Sequence, residues 1–195
     1  MKSIHIFLTI LVLSCNNSQN KEIAIVTDPG KDPGISKPEN FFPVTAYIKG
    51  QIFEIKRRGI NPLKIIEQGN RTDSLWLPIE TLNKEMADFL EPVIDTVNLM
   101  ALFSETKFLD QTLNAYTFTY DPKKELPDSM PLKHWDVYVD PGKNTIQRIY
   151  MVKKAGNKTL QLTWLNDISC RIITIGEDNK GNDAVEKEVL IKWDF

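Results

Sequence analysis

The sequence predicts an α+β fold, with two or three helices packed on one face of a twisted, largely antiparallel β-sheet. Three observations carry that expectation. Apolar residues recur at helical spacing in the first half of the chain, and they alternate at strand spacing in the second half. Turn signals such as Asp140-Pro141-Gly142 and Ala155-Gly156-Asn157 separate the later segments closely enough for a β-meander. Helices early and strands late is the pattern of that class. The length of 195 residues suits one domain of ordinary size, expected over residues 41–195.

The first helix is expected to begin at Pro43, whose missing N–H is harmless in a first turn. Phe41, Val44, Ile48, Ile52 and Ile55 then recur at steps of three and four, a one-face stripe. Lys56, Arg57 and Arg58 follow where cations meet the negative end of the helix dipole, and Gly59 with Asn61-Pro62 ends the element. Leu63–Leu77 reads as a hairpin turning through Gln68 to Asp73. Pro78 opens a second helix whose apolar face is Ile79, Leu82, Met86, Phe89 and Leu90, closed by Pro92. Val97 to Phe103 fits a short third helix or a strand, and Phe108-Leu109 is expected to tuck into the core.

The meander follows. Its strands are expected at Leu113–Tyr120, Lys133–Val139, Thr145–Lys153, Thr159–Leu165, Ile168–Ile175 and Glu186–Phe195. Alternation is clear where Tyr116, Phe118 and Tyr120 share one face, and again at Leu160, Leu162 and Trp164 and at Val189, Ile191 and Trp193. Trp135, Trp164 and Trp193 each fall on a strand, as large fillers of the space beneath the helices.

Composition narrows the function classes. With 24 Lys+Arg against 26 Asp+Glu the formal charge is −2, without the basic face that a nucleic-acid partner requires. Two cysteines make neither a disulfide scaffold nor a cysteine zinc site. No Gly-x-Ser-x-Gly elbow, Walker loop or dinucleotide fingerprint is present, and the Asp and Asn positions 28, 32, 140 and 144 do not reproduce a calcium-loop spacing. No metal site, cofactor or catalytic residue is therefore expected. His134 alternates with Asp136, Tyr138 and Asp140 on a polar strand face, and a His–carboxylate pair there is the sole acid–base candidate. Cys170, in a strand-like run, reads as a buried small hydrophobe.

The amino terminus carries the sharpest signal. Lys2 precedes an apolar run from Ile4 to Leu13, too short to span a bilayer but of the length of a signal-peptide core. The run ends at Val12-Leu13-Ser14-Cys15, which resembles a bacterial lipobox. The resemblance implies a signal peptide at 1–14, acylation of Cys15 and cleavage before it, with residues 15–40 as lipidated cysteine and flexible tether. Each buried CH₂ contributes ~0.8 kcal/mol, so two or three acyl chains hold a folded domain at a membrane. The Asp28-Pro29-Gly30 and Asp32-Pro33-Gly34 turns suit such a tether. Asp73-Ser74-Leu75, Asp95-Thr96-Val97 and Asp128-Ser129-Met130 are similar to the O-glycosylation acceptor pattern of Bacteroidota envelope proteins, which marks Ser74, Thr96 and Ser129. Together with Phe41-Phe42-Pro43-Val44, Phe118-Thr119-Tyr120 and Val139-Asp140-Pro141, the order of features resembles small Bacteroidota envelope lipoproteins. That resemblance implies an envelope location, the outer membrane ahead of the inner, and carries no activity.

Three readings follow in order. The first is a non-enzymatic, lipid-anchored envelope lipoprotein that binds or scaffolds a partner protein. The second is a carrier of a lipid or other hydrophobic ligand in a sheet–helix cavity, and the third an enzyme using His134 with Asp136 or Asp140.

Overall fold

The computed structural model describes residues 40–194. The expected signal peptide, Cys15 and the tether up to residue 39 lie outside the described residues.

The body of the molecule is a nine-stranded antiparallel sheet: β1 (Leu63–Gln68), β2 (Arg71–Trp76), β3 (Phe103–Asp110), β4 (Ala115–Pro122), β5 (Leu132–Asp140), β6 (Thr145–Ala155), β7 (Lys158–Leu165), β8 (Ser169–Glu177) and β9 (Asp183–Lys192). Their order across the sheet is β2-β1-β9-β8-β7-β6-β5-β4-β3. From β3 to β9 this is a plain meander. The early hairpin joins it at the far side, where β1 pairs with β9 in the register Leu63↔Lys192 to Glu67↔Glu188. Tight turns make the meander possible. Gly156 (φ +63°) and Asn144 (φ +53°) occupy the left-handed conformation at the β6–β7 and β5–β6 connections, where a β-branched residue would be strained.

The α+β expectation is corrected by this architecture. Among the described residues the α-helices are α1 (Val44–Arg57) and a four-residue turn, α2 (Leu82–Glu85), beside a sheet of nine strands. The expected second helix breaks into a 3-10 turn at Ile79–Thr81, then α2, then a second 3-10 turn at Ala87–Phe89. Three of its five expected apolar positions, Leu82, Met86 and Phe89, are nonetheless buried, and Ile79 and Leu90 are half-buried. Spacing of three and four residues is served by separate helical turns as well as by one continuous helix. The carbonyls of Asp88 and Glu91 accept hydrogen bonds from Lys153 of β6, so tertiary contacts supply the partners there. The segment Val97 to Phe103, expected as a short third helix or a strand, forms bends and turns up to Leu102, and β3 begins at Phe103. Phe108 and Leu109, expected in the core, lie on β3 at 48% exposure each.

The core forms between α1 and one face of the sheet. Val44, Ile48, Ile52 and Ile55 of α1 and the anchors Leu82, Met86 and Phe89 join Trp135, Met151, Leu162, Trp164, Ile172, Ile191 and Trp193 in one buried cluster. Trp135 stacks on Tyr120 with ring centroids 4.5 Å apart and meets Phe103 edge-on at 4.7 Å. Phe89 meets Trp164 edge-on at 5.4 Å. Large aromatic side chains therefore fill the space between helix and sheet.

Candidate site on the outer face of the sheet

The opposite face carries the polar residues of the alternation. Where Phe118, Tyr120, Trp135 and Val137 point to the core, Thr119, Asp121, His134, Asp136 and Tyr138 point away from it. Cross-strand register brings them together: Thr119 of β4 stands beside Asp136 of β5, which stands beside Tyr150 of β6. Thr117, Tyr138 and Arg148 form the next row. A register shift between Leu132 and His134 adds one residue to β5 at this point. Such a bulge re-aims the side chain that follows it.

His134 lies between two carboxylates. Its Nδ1 is 2.8 Å from Asp121 Oδ1 and its Nε2 is 3.0 Å from Asp136 Oδ2. With an acceptor at both nitrogens, the doubly protonated ring is favoured. The hydrogen bond to Asp136 leads in raising the His134 pKa to about 9, against the opposing effect of burial and with Asp121 in support. Asp136 itself is only 8% exposed. Burial alone would raise its carboxyl, but the bonds from His134, Thr119 and Tyr138 outweigh burial and hold it below the usual carboxylate range. Thr119 Oγ1 donates to Asp136 Oδ1 at 2.6 Å and the Tyr138 hydroxyl donates to Oδ2 at 3.2 Å. Burial first, and Asp136 second, push the Tyr138 and Tyr150 phenols upward. The Arg148 guanidinium lies 3.9 Å from the Tyr138 ring centroid, within cation–π range.

Chemically this is a fixed constellation of charges. An imidazolium engaged at both nitrogens has no lone pair to accept a proton at neutral pH, so His134 serves as an anchored cation between Asp121 and Asp136. The third acid considered from sequence, Asp140, is elsewhere engaged. Its Oδ1 accepts the backbone N–H groups of Gly142 and Lys143 at 2.8 and 2.9 Å, and its Oδ2 accepts from Gln147 at 3.2 Å. Those bonds lower its pKa and shape the β5–β6 turn. Asp121 is the partner that sequence reasoning missed. It sits 13 residues before His134, and only the β4–β5 pairing brings them together.

The remaining candidates are placed as follows. Cys170 is buried on the core face of β8, and burial pushes its thiol well above the ordinary range. Ser74 is exposed on β2, Thr96 is half-buried in the loop before β3, and Ser129 is exposed in the turn at residues 127–130. Neighbouring Asp95 Oδ1 accepts the N–H groups of Val97 and Asn98 at 2.8 and 2.7 Å. Lys153, which sequence reasoning passed over, is only 4% exposed. It alternates with Ile149 and Met151, a signal that could have placed it on the inner face. A recess of about 450 Å³ at the β1–β2 hairpin is lined by Ile66, Gln68, Asn70, Arg71 and Asp73. Among the described residues no three His, Cys, Asp or Glu side chains are grouped to hold a metal ion, and no helix is long and apolar enough to cross a membrane.

The class that fold and site define is an open antiparallel-sheet domain with a filled core and a charged cluster on its outer face. No protein family, curated protein or solved structure matches this chain.

Proposed function

We propose that the chain is a non-enzymatic binding module, held at the cell envelope by lipid on Cys15, that engages a partner protein through the outer face of β4, β5 and β6. The observation that carries this reading is the His134 cluster. Its charges stand on paired strands, and each is fixed by named neighbours, so the face is ordered before any partner arrives. Fixed, complementary charge of this kind favours specific recognition. The filled interior supports a binding face over the carrier reading, because Trp135, Trp164, Trp193, Tyr120 and Phe89 occupy the space a greasy ligand would need.

Two measurements test the reading. A photo-crosslinking residue at Val152, opposite His134 on the outer face of β6, should capture one protein in the producing cells, and the same residue at Lys49 on α1 should not. Equal labelling at both positions, or none at either, removes the outer face as a binding surface. Metabolic labelling with palmitate should mark the chain and fail in Cys15→Ala; unchanged labelling would remove the anchor.

A further inference from the structure

The sheet ends at β3, which pairs only with β4 among the described strands. The backbone alternation shows which groups face outward. Lys123 N–H donates to the Leu102 carbonyl at 2.9 Å, one step before the β3–β4 register of Phe103↔Pro122 to Asp110↔Ala115. In an antiparallel pair, bonded positions alternate, so Ser104, Thr106, Phe108 and Asp110 bond to β4. Glu105, Lys107 and Leu109 therefore turn their N–H and C=O groups away from the sheet, as Phe103 does its C=O, while the Phe103 N–H donates to the Leu99 carbonyl at 3.0 Å.

We propose that β3 is a self-recognition edge, on which two copies of this chain join their sheets by antiparallel β3–β3 pairing about a two-fold axis at Thr106. A two-fold axis perpendicular to the sheet keeps inner face with inner face, so it must fall on a residue level and not between two. Centred on Thr106, the pairing sets Glu105 opposite Lys107 of the second copy, and does so twice. It also sets Phe103 opposite Leu109, and Thr106 opposite Thr106. Centred one residue to either side, it opposes Glu105 to Glu105 or Lys107 to Lys107. Opposite charges across a strand pair stabilise it and like charges oppose it, so charge selects the Thr106 register.

A lysine in the middle of an edge strand usually discourages pairing with other chains. Here the Lys107 side chain lies along the inner face, its Nζ 4.9 and 5.1 Å from the Tyr116 and Phe118 ring centroids. It rejects any strand that fails to present an acid opposite, and its own copy presents Glu105. The pairing would form about six main-chain hydrogen bonds and cover the apolar side chain of Leu109, 48% exposed in the single chain. This inference stands apart from the proposed outer-face partner, because β3 is the edge of the sheet and the His134 cluster is on its face.

The test adds one cysteine at a time to the full chain, which itself carries Cys15 and Cys170, with the unsubstituted chain as the background, and oxidises mildly in the cells that make it. On the two-fold axis, Thr106 occupies a non-hydrogen-bonded pair with Cα atoms ~4.5 Å apart, within disulfide reach. Thr106→Cys should give a disulfide-linked dimer on a non-reducing gel, and Ser104→Cys or Phe108→Cys alone should not. Adding Lys107→Glu to Thr106→Cys should lower the linked fraction about tenfold, and adding Glu105→Lys as well should restore it. The proposal is overturned if Thr106→Cys stays monomeric on oxidation, if Lys107→Glu leaves the linked fraction unchanged, or if Ser104→Cys links equally well.

Discussion

Replacing His134 with Gln keeps a side chain of similar reach but removes the titrating cation from between Asp121 and Asp136. The structure sets both the size and the pH range of the effect. The His134 pKa rises from 6.5 to about 9 on folding, chiefly through its hydrogen bond to Asp136. At ~1.36 kcal/mol per unit, the bound proton would stabilise the fold by about 3 kcal/mol. The Asp121 side chain is 58% exposed, so that half of the interaction is weakened by water. Solvent screening brings the expectation to about 2 kcal/mol. Because the folded pKa lies above the unfolded one, the contribution is complete below about pH 6.5 and disappears as pH rises through about 9. Urea unfolding of wild type and His134→Gln, repeated from about pH 6 to about pH 9.5, reads this directly. The difference in stability should shrink by about 2 kcal/mol across that range. Other groups that titrate there, Lys153 included, are common to both proteins and largely cancel. A difference that stays level with pH would refute the assignment of a shared proton to this cluster.

Lys153 should behave in the opposite sense. Burial lowers its pKa from 10.5 to about 8, so the charged form opposes folding below pH 8 and that opposition is relieved at higher pH. Wild type should therefore gain on Lys153→Met as pH rises through about 8, measured by the same urea titrations. Trp135, fully buried against Tyr120 and Phe103, should lose ~3–5 kcal/mol of stability on truncation to Ala, seen in the denaturation midpoint. Cys170 should react with a thiol reagent only in denaturant, because it is buried and its thiolate is strongly disfavoured.

What the sequence revealed follows from burial on one face or two. The strands β4, β7 and β9 were legible because one face of each is apolar, as in Leu160, Leu162 and Trp164 against Gln161 and Thr163. β3 was illegible for the same reason. It has a single neighbour, and with Ser104 and Thr106 on one side and Glu105 and Lys107 on the other it lacks apolar alternation. The expected second helix misled because burial of Leu82, Met86 and Phe89 requires only their spacing, which three short turns provide. At the site, His134 and Asp136 are two residues apart on one strand, so their shared face could be read directly. Asp121 belongs to another strand, and its contact with His134 depends on register, which a single sequence does not display.

The strand order also constrains how the molecule is made. Among the described elements β1 and β2 come early, yet their one attachment to the sheet is β9, the last described strand. Until residues 183–192 have emerged, the hairpin has no sheet to join, and a two-stranded hairpin alone is barely stable. The Lys64↔Ile191 pairing must close most of the chain into a loop, which is slow compared with the neighbour-to-neighbour zipping of the meander. Until then the β1–β9 pairing stays unmade, and the outer edge of β1 has no partner strand from the meander. A chain that completes its sheet only when β9 emerges needs protection from aggregation until then.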